Sequence, residues 1–157
     1  MQNGKKFMEA ALQSAYEGIR KGDGGPFGAC IVKRNRIIAI AHNEVLKNKD
    51  ATAHAEMNAI RKASTKLKSW NLKGCKIYTT TEACPMCFSA IHWAQISEII
   101  YSTAIQDVKK LGFNELSISN IQMKKIGRLS VKIKKNFMRK ECMALLEKWR
   151  ALKGKIY

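Results

Sequence analysis

The chain predicts an α/β fold, a three-layer α-β-α sandwich around a five-stranded mixed sheet. Three observations carry that expectation. Two β-branched-rich runs flank the dipeptide Arg34-Asn35, the spacing of an antiparallel hairpin. Strand-like and helix-like segments alternate after it, which favours parallel pairing of the last three strands through right-handed crossovers. A length of 157 residues, 46% hydrophobic with only two prolines, suits one globular domain spanning 1–157.

The elements follow in order. Phe7, Ala11, Leu12, Ala15 and Ile19 recur at helical spacing over residues 5–22, and Gly22 ends the run. The stretch GDGGPFG is a loop, because glycine and proline dominate it. ACIVK and RIIAIAH form the hairpin, and a polar loop over 43–52 leads to a helix from about His54 to Ser64. CKIYTTT is a third strand, and Pro85–Gln95 is a helix with proline in its first turn. EIIYST is the fourth strand, a long loop containing LGFNE follows, and RLSVKIK alternates as the fifth. Phe137–Lys153 closes the chain as a helix with Met138, Cys142, Leu145, Leu146 and Trp149 along one stripe. No repeat, linker or membrane-length apolar run interrupts this order, and the amphipathic N-terminus lacks a signal-peptide core, so a cytoplasmic protein is expected.

The five cysteines argue against a disulfide framework, being odd in number and including a Cys-x-x-Cys pair, Cys84 and Cys87. Cys30, Cys75 and Cys142 sit in or beside apolar patterns and read as inert core thiols. The net charge of +17 is uneven: residues 109–157 hold 14 Lys/Arg against 3 Asp/Glu. Such a basic half suits nucleic acid. No recognition pattern interleaves arginine with aromatics, however, so solvated lysine-rich helix faces are the favoured account.

The chemistry concentrates in two short stretches. THAEMNA places His54 and Glu56 two residues apart, and such residues point to nearly opposite sides of a regular helix. They share a cavity only if His54 stands at the very start of the helix, with Thr52 as its cap. Cys84 and Cys87 begin the next helix, where two thiolates can converge on one metal and the helix N-terminus favours them as anions. One imidazole and two thiolates select Zn²⁺, one per chain, and leave a fourth tetrahedral position for water. Glu56 is then a base rather than a ligand. Either stretch alone means little; together, each opening a helix, they make a strong signal.

That pair of stretches resembles the H-x-E…P-C-x-x-C signature of the zinc-dependent cytidine and nucleobase deaminase superfamily, over nearly the whole chain. The resemblance implies a cytidine-deaminase-like fold. One departure is Ala83, which stands where the signature has proline; Pro85 just beyond offers some compensation. Three further stretches are similar to the short bacterial guanine deaminases: GGPFGACIVK, CPMCFSAIHWA and LGFNE. By that resemblance Phe27 and Trp93 wall a flat purine, and Glu115 holds it and shuttles protons beside the catalytic Glu56. Asn43 and Ala55 join the substrate-binding residues on the same ground. Tyr157 matches tails that close over a neighbouring active site. The expected reaction is hydrolytic deamination of guanine to xanthine and ammonia by a zinc-activated water. A homodimer is expected too, with residues of about 136–157 packing on or swapping with the partner. The rival is tRNA-specific adenosine deaminase, which shares TAHAE and a final helix resembling ECMALL. A different loop stands after the fourth strand here, IQDVKKLGFNE, and speaks against it. Guanosine and cytosine are further alternatives. A zinc-stabilised binding module without activity fits poorly, since a structural site normally supplies a fourth protein ligand.

Overall fold

The computed structural model describes residues 2–157. Helix α1 (Gln2–Lys21) turns its predicted stripe, together with Met8, onto the sheet. It lies so close to β1 (Gly28–Lys33) that a Cβ on Gly28 would collide with the Ala11 carbonyl oxygen, which is why glycine opens that strand. Strands β1 and β2 (Arg36–His42) pair antiparallel across Arg34 and Asn35, both at positive φ (46° and 62°). This left-handed pair matches the twist of the flanking strands.

The chain continues through α2 (Val45–Asn48), α3 (Ala55–Leu67), β3 (Cys75–Thr81), α4 (Pro85–Trp93) and β4 (Glu98–Thr103). It ends with α5 (Ile105–Lys109), α6 (Asn120–Ile126), β5 (Lys132–Lys134) and α7 (Arg139–Ala151). The sheet order is β2-β1-β3-β4-β5. β1 pairs antiparallel with β3, while β3–β4 and β4–β5 are parallel, so the mixed five-stranded sheet is as expected.

Strand alternation divides the core in two. Ile31, Ile77 and Ile99 face one side with Phe88 and Ile91 of α4. Cys30, Val32, Tyr78 and Ile100 face the other with α1 and Leu145, Leu146 and Trp149 of α7. Helix α3 meets the sheet through Ala55, Ala59 and Ala63, all fully buried and one turn apart. Small side chains bring its axis close to the strands and set the depth at which its first residues lie. Cys30, Cys75 and Cys142 are buried free thiols, as expected.

The structure departs from expectation in four places. The polar loop over 43–52 contains α2, and the loop after β4 contains α5 and α6. β5 covers three residues rather than the seven of RLSVKIK; its lysines are exposed and only Ile133 turns inward, a short charged edge that resists further pairing. α7 starts at Arg139, two residues later than predicted, because Met138 takes a left-handed conformation. Among the described residues no helix is long and apolar enough to cross a membrane.

Candidate active site

Strand β3 ends at Thr81, and three residues later the chain enters α4 with Cys84 as its N-cap and Pro85 as its first helical residue. His54 is the N-cap of α3, in extended conformation (φ −66°, ψ 157°). Its backbone is therefore still turning where the imidazole projects, and Glu56 behind it reaches the same cavity. Thr52 is not the cap; its N–H and hydroxyl both donate to Asp50, two residues back.

The three donors converge. His54 Nδ1 lies 3.6 Å from Cys84 Sγ and 3.5 Å from Cys87 Sγ, and all three atoms fall within 4.8 Å of one another. Tetrahedral zinc with bonds of about 2.3 Å to sulfur and about 2.05 Å to nitrogen would hold them roughly 3.5 Å apart. Both nitrogen–sulfur separations therefore match those of bound zinc. The hydrogen bond from Cys87 and the neighbouring His54 hold the Cys84 thiol down at about 4 against the effect of burial. Cys87 moves the opposite way, through its bond to Cys84 and its burial. Burial opposes charge on His54, yet its bond to Cys84 and the neighbouring Glu56 raise its pKa.

Glu56 is buried, with Oε2 3.6 Å from Cys87 Sγ, and burial followed by the Cys84 charge pushes its carboxyl up to about 7. It faces a cavity of about 370 Å³, a volume suited to a small ligand. Phe27, Asn43, His54, Cys84 and Glu115 line that cavity as well. Asn43 is fully buried; its Oδ1 accepts the N–H groups of Gly25 (3.3 Å) and Val45 (3.1 Å). Its Nδ2 has no partner among the described residues, a buried donor left for a ligand. Glu115 is partly buried, and burial followed by the Cys84 charge raises its carboxyl.

Tyr157 comes from the tail of the same chain. Its hydroxyl accepts the Gly25 N–H at 3.2 Å, and its ring meets Phe113 edge-on at 5.4 Å. A side chain on Gly25 would strike both Phe27 and that hydroxyl. Phe113 touches Phe27 as well (5.3 Å) and stacks on Trp149 (6.3 Å), tying the tail to α7 and to the cavity wall. Phe113, two residues before Glu115 in LGFNE, was overlooked in the sequence; an aromatic beside glycine in a segment already suspected was the available signal.

Two expected residues are placed elsewhere. Trp93 ends α4, is 77% exposed and does not line the cavity. Nine helical steps of 1.5 Å separate it from Cys84, roughly 13 Å along the axis, so within this chain it cannot wall the pocket. Ala55 is the first residue of α3, and its side chain packs into the core rather than the cavity. His42 is a satisfied histidine, bonded to Ser14 (3.1 Å) and Asp23 (2.8 Å), and His92 faces out of its helix.

Comparison with known proteins agrees with this geometry. Residues 1–103 match the model of the cytidine and deoxycytidylate deaminase zinc-binding region, and the chain belongs to that family of zinc-dependent deaminases. A guanine deaminase of Bacillus subtilis is 44% identical over 113 residues, 72% of each chain. A tRNA-specific adenosine deaminase of Buchnera aphidicola is 34% identical over 140 residues, 89% of each chain. The structure of a guanine deaminase from Nitrosomonas europaea superposes with a TM-score of 0.85 at 28% identity, covering 92% of this chain and 83% of that one. The protein is thus a hydrolytic deaminase of the zinc type.

Proposed function

We propose that the protein deaminates free guanine to xanthine and ammonia. The observation that carries this reading is the lining of the cavity: about 370 Å³ in size, it is walled by Phe27, Phe113 and Tyr157 of the same chain and holds an open donor, Asn43 Nδ2. That volume suits a small ligand such as a free base. The Bacillus and Nitrosomonas guanine deaminases support the same substrate.

His54, Cys84 and Cys87 hold zinc, which when bound supplies the Lewis acidity that brings the pKa of water near 7. Phe27 and Phe113, packed edge to face on one another, present one apolar wall to the flat ring, and Asn43 Nδ2 donates to an acceptor on its edge. Glu56 takes a proton from the water and passes it to N3 while the oxygen adds to C2. A second proton, from the new hydroxyl, is carried by Glu56 with Glu115 to the exocyclic amine. Ammonia leaves and the C2 carbonyl of xanthine forms.

Glu56→Gln is expected to retain zinc and to lose at least about a hundredfold in turnover, the usual range for a general acid–base group. Guanine consumption is followed by ultraviolet absorbance and zinc by elemental analysis. Near wild-type turnover with the metal in place would defeat the reading. The second reading, deamination of adenosine in tRNA, draws on the Buchnera relative and on the 14 Lys/Arg against 3 Asp/Glu over residues 109–157. Steep salt dependence of anticodon-loop binding would favour it. We also propose a homodimer, by resemblance, which sedimentation at several concentrations tests.

A further inference from the structure

The two residues that join β3 to the zinc ligand Cys84, Glu82 and Ala83, are held by Ile105 and Asn120, neither of which lines the cavity. Glu82 is 4% exposed, and its carboxylate accepts the N–H of Asn120 (2.8 Å) and of Ile105 (3.3 Å). Its own N–H donates to Thr103 O at 2.8 Å. Asn120, the first residue of α6, is fully buried, and its Nδ2 donates to the Ala83 carbonyl at 2.6 Å. Ala83 precedes Cys84 and stands where the family signature has proline. α6 in turn packs on α4, the helix that carries both thiols.

We infer that Asn120 is a positioning residue for Cys84, its amide fixing the Ala83 peptide that proline would otherwise stiffen. The side chain has little other reason to be buried there. Its Oδ1 has no partner among the described residues, an orphan that costs stability, so the site tolerates an unpaired acceptor to keep the Nδ2 contact. Partners of metal ligands typically change metal affinity or activity by 10- to 100-fold when removed. Proline at 83 would not sacrifice a hydrogen bond, since none from the Ala83 N–H is found among the described residues.

This inference rests on the zinc site alone and on no choice of substrate. In the full chain Asn120→Ala exchanges the orphaned Oδ1 for an unpaired Ala83 carbonyl at the loss of one bond, so the melting temperature of the metal-free protein should stay within a few degrees of wild type. Its zinc affinity, measured by competition with a chromophoric chelator, should fall roughly tenfold. The visible absorption of the Co²⁺-substituted protein should change in position or intensity. Ala83→Pro added to that variant should restore both. Unchanged affinity and Co²⁺ spectrum in Asn120→Ala would overturn the inference. So would a loss of affinity that accompanies general destabilisation and that Ala83→Pro leaves in place. Neither readout involves guanine, so both are independent of the proposed reaction.

Discussion

Asn43 does two jobs with its two side-chain atoms, and they can be separated. Its Oδ1 anchors the Gly25 and Val45 amides, while Nδ2 is the open donor. Asn43→Asp keeps an acceptor for both amides and removes the donor. It should lower kcat/KM for guanine about tenfold to a hundredfold, the usual cost of one buried hydrogen bond left unmade. Folding should survive; a matching collapse in melting temperature would show that the effect was structural. The cysteines divide as sharply. Burial pushes Cys30 up to about 12 and Cys142 up to about 11, so neither is a nucleophile in the folded protein. Alkylation at pH 7.5 should spare Cys30, Cys75 and Cys142 in the native state, label Cys84 in preference to the buried Cys87 once zinc is chelated, and reach all five cysteines only on unfolding. Labelling of the three core thiols in the native protein would contradict the packing described.

At the scale of elements, α5 and α7 are joined by one ion pair. Arg139 donates to both Asp107 oxygens (2.7 and 2.9 Å), and Asp107 also accepts the Ala104 N–H. The bond to Arg139 outweighs burial and holds the Asp107 carboxyl below its ordinary value. A carboxyl depressed in the folded state stabilises above its unfolded pKa of about 3.9 and loses that contribution as pH falls through the folded value. Arg139→Gln should therefore cost about 1 kcal/mol near pH 7, discounted for the half-exposed arginine, or about 3 °C of melting temperature. The difference from wild type should shrink as pH falls through the depressed folded value of Asp107; a gap that persists once that carboxyl is protonated would show that lost packing, not charge, is responsible. The elements themselves were uneven in how clearly they could be read. The Arg34-Asn35 turn and the long stripes of α1 and α7 were plain because each spans many periods or needs a special backbone. α2 and α5 cover four and five residues, too few for periodicity to register. α6 carried a usable sign that went unused: Ser119 and Gln122 form a reciprocal capping box, the S-x-x-Q pattern.

Across the whole molecule, the zinc site could be read because its donors lie in two short motifs, whereas the cavity wall was legible only through the family resemblance, which named Phe27, Asn43, Glu115 and Tyr157 but not Phe113. Phe113, Glu115 and Tyr157 reach it from the last third of the chain, and only tertiary packing decides that this tail folds over its own site. Trp93 failed for the same reason in reverse: adjacency to Cys87 in sequence became distance along a helix. Because Tyr157 walls the cavity, removing residues 154–157 should raise KM for guanine at least about tenfold. Tyr157→Phe, which keeps the ring on Phe113 and gives up the Gly25 bond, should cost about 1 kcal/mol of that. An unchanged KM in the truncated chain would place the tail outside the substrate's surroundings. The central claim is that this aromatic-walled cavity serves a free base. The most direct measurement compares kcat/KM of the zinc-loaded protein for guanine with that for an adenosine-containing anticodon stem-loop, under the same salt. A preference for guanine of a thousandfold or more is the predicted result; faster deamination of the RNA would contradict it.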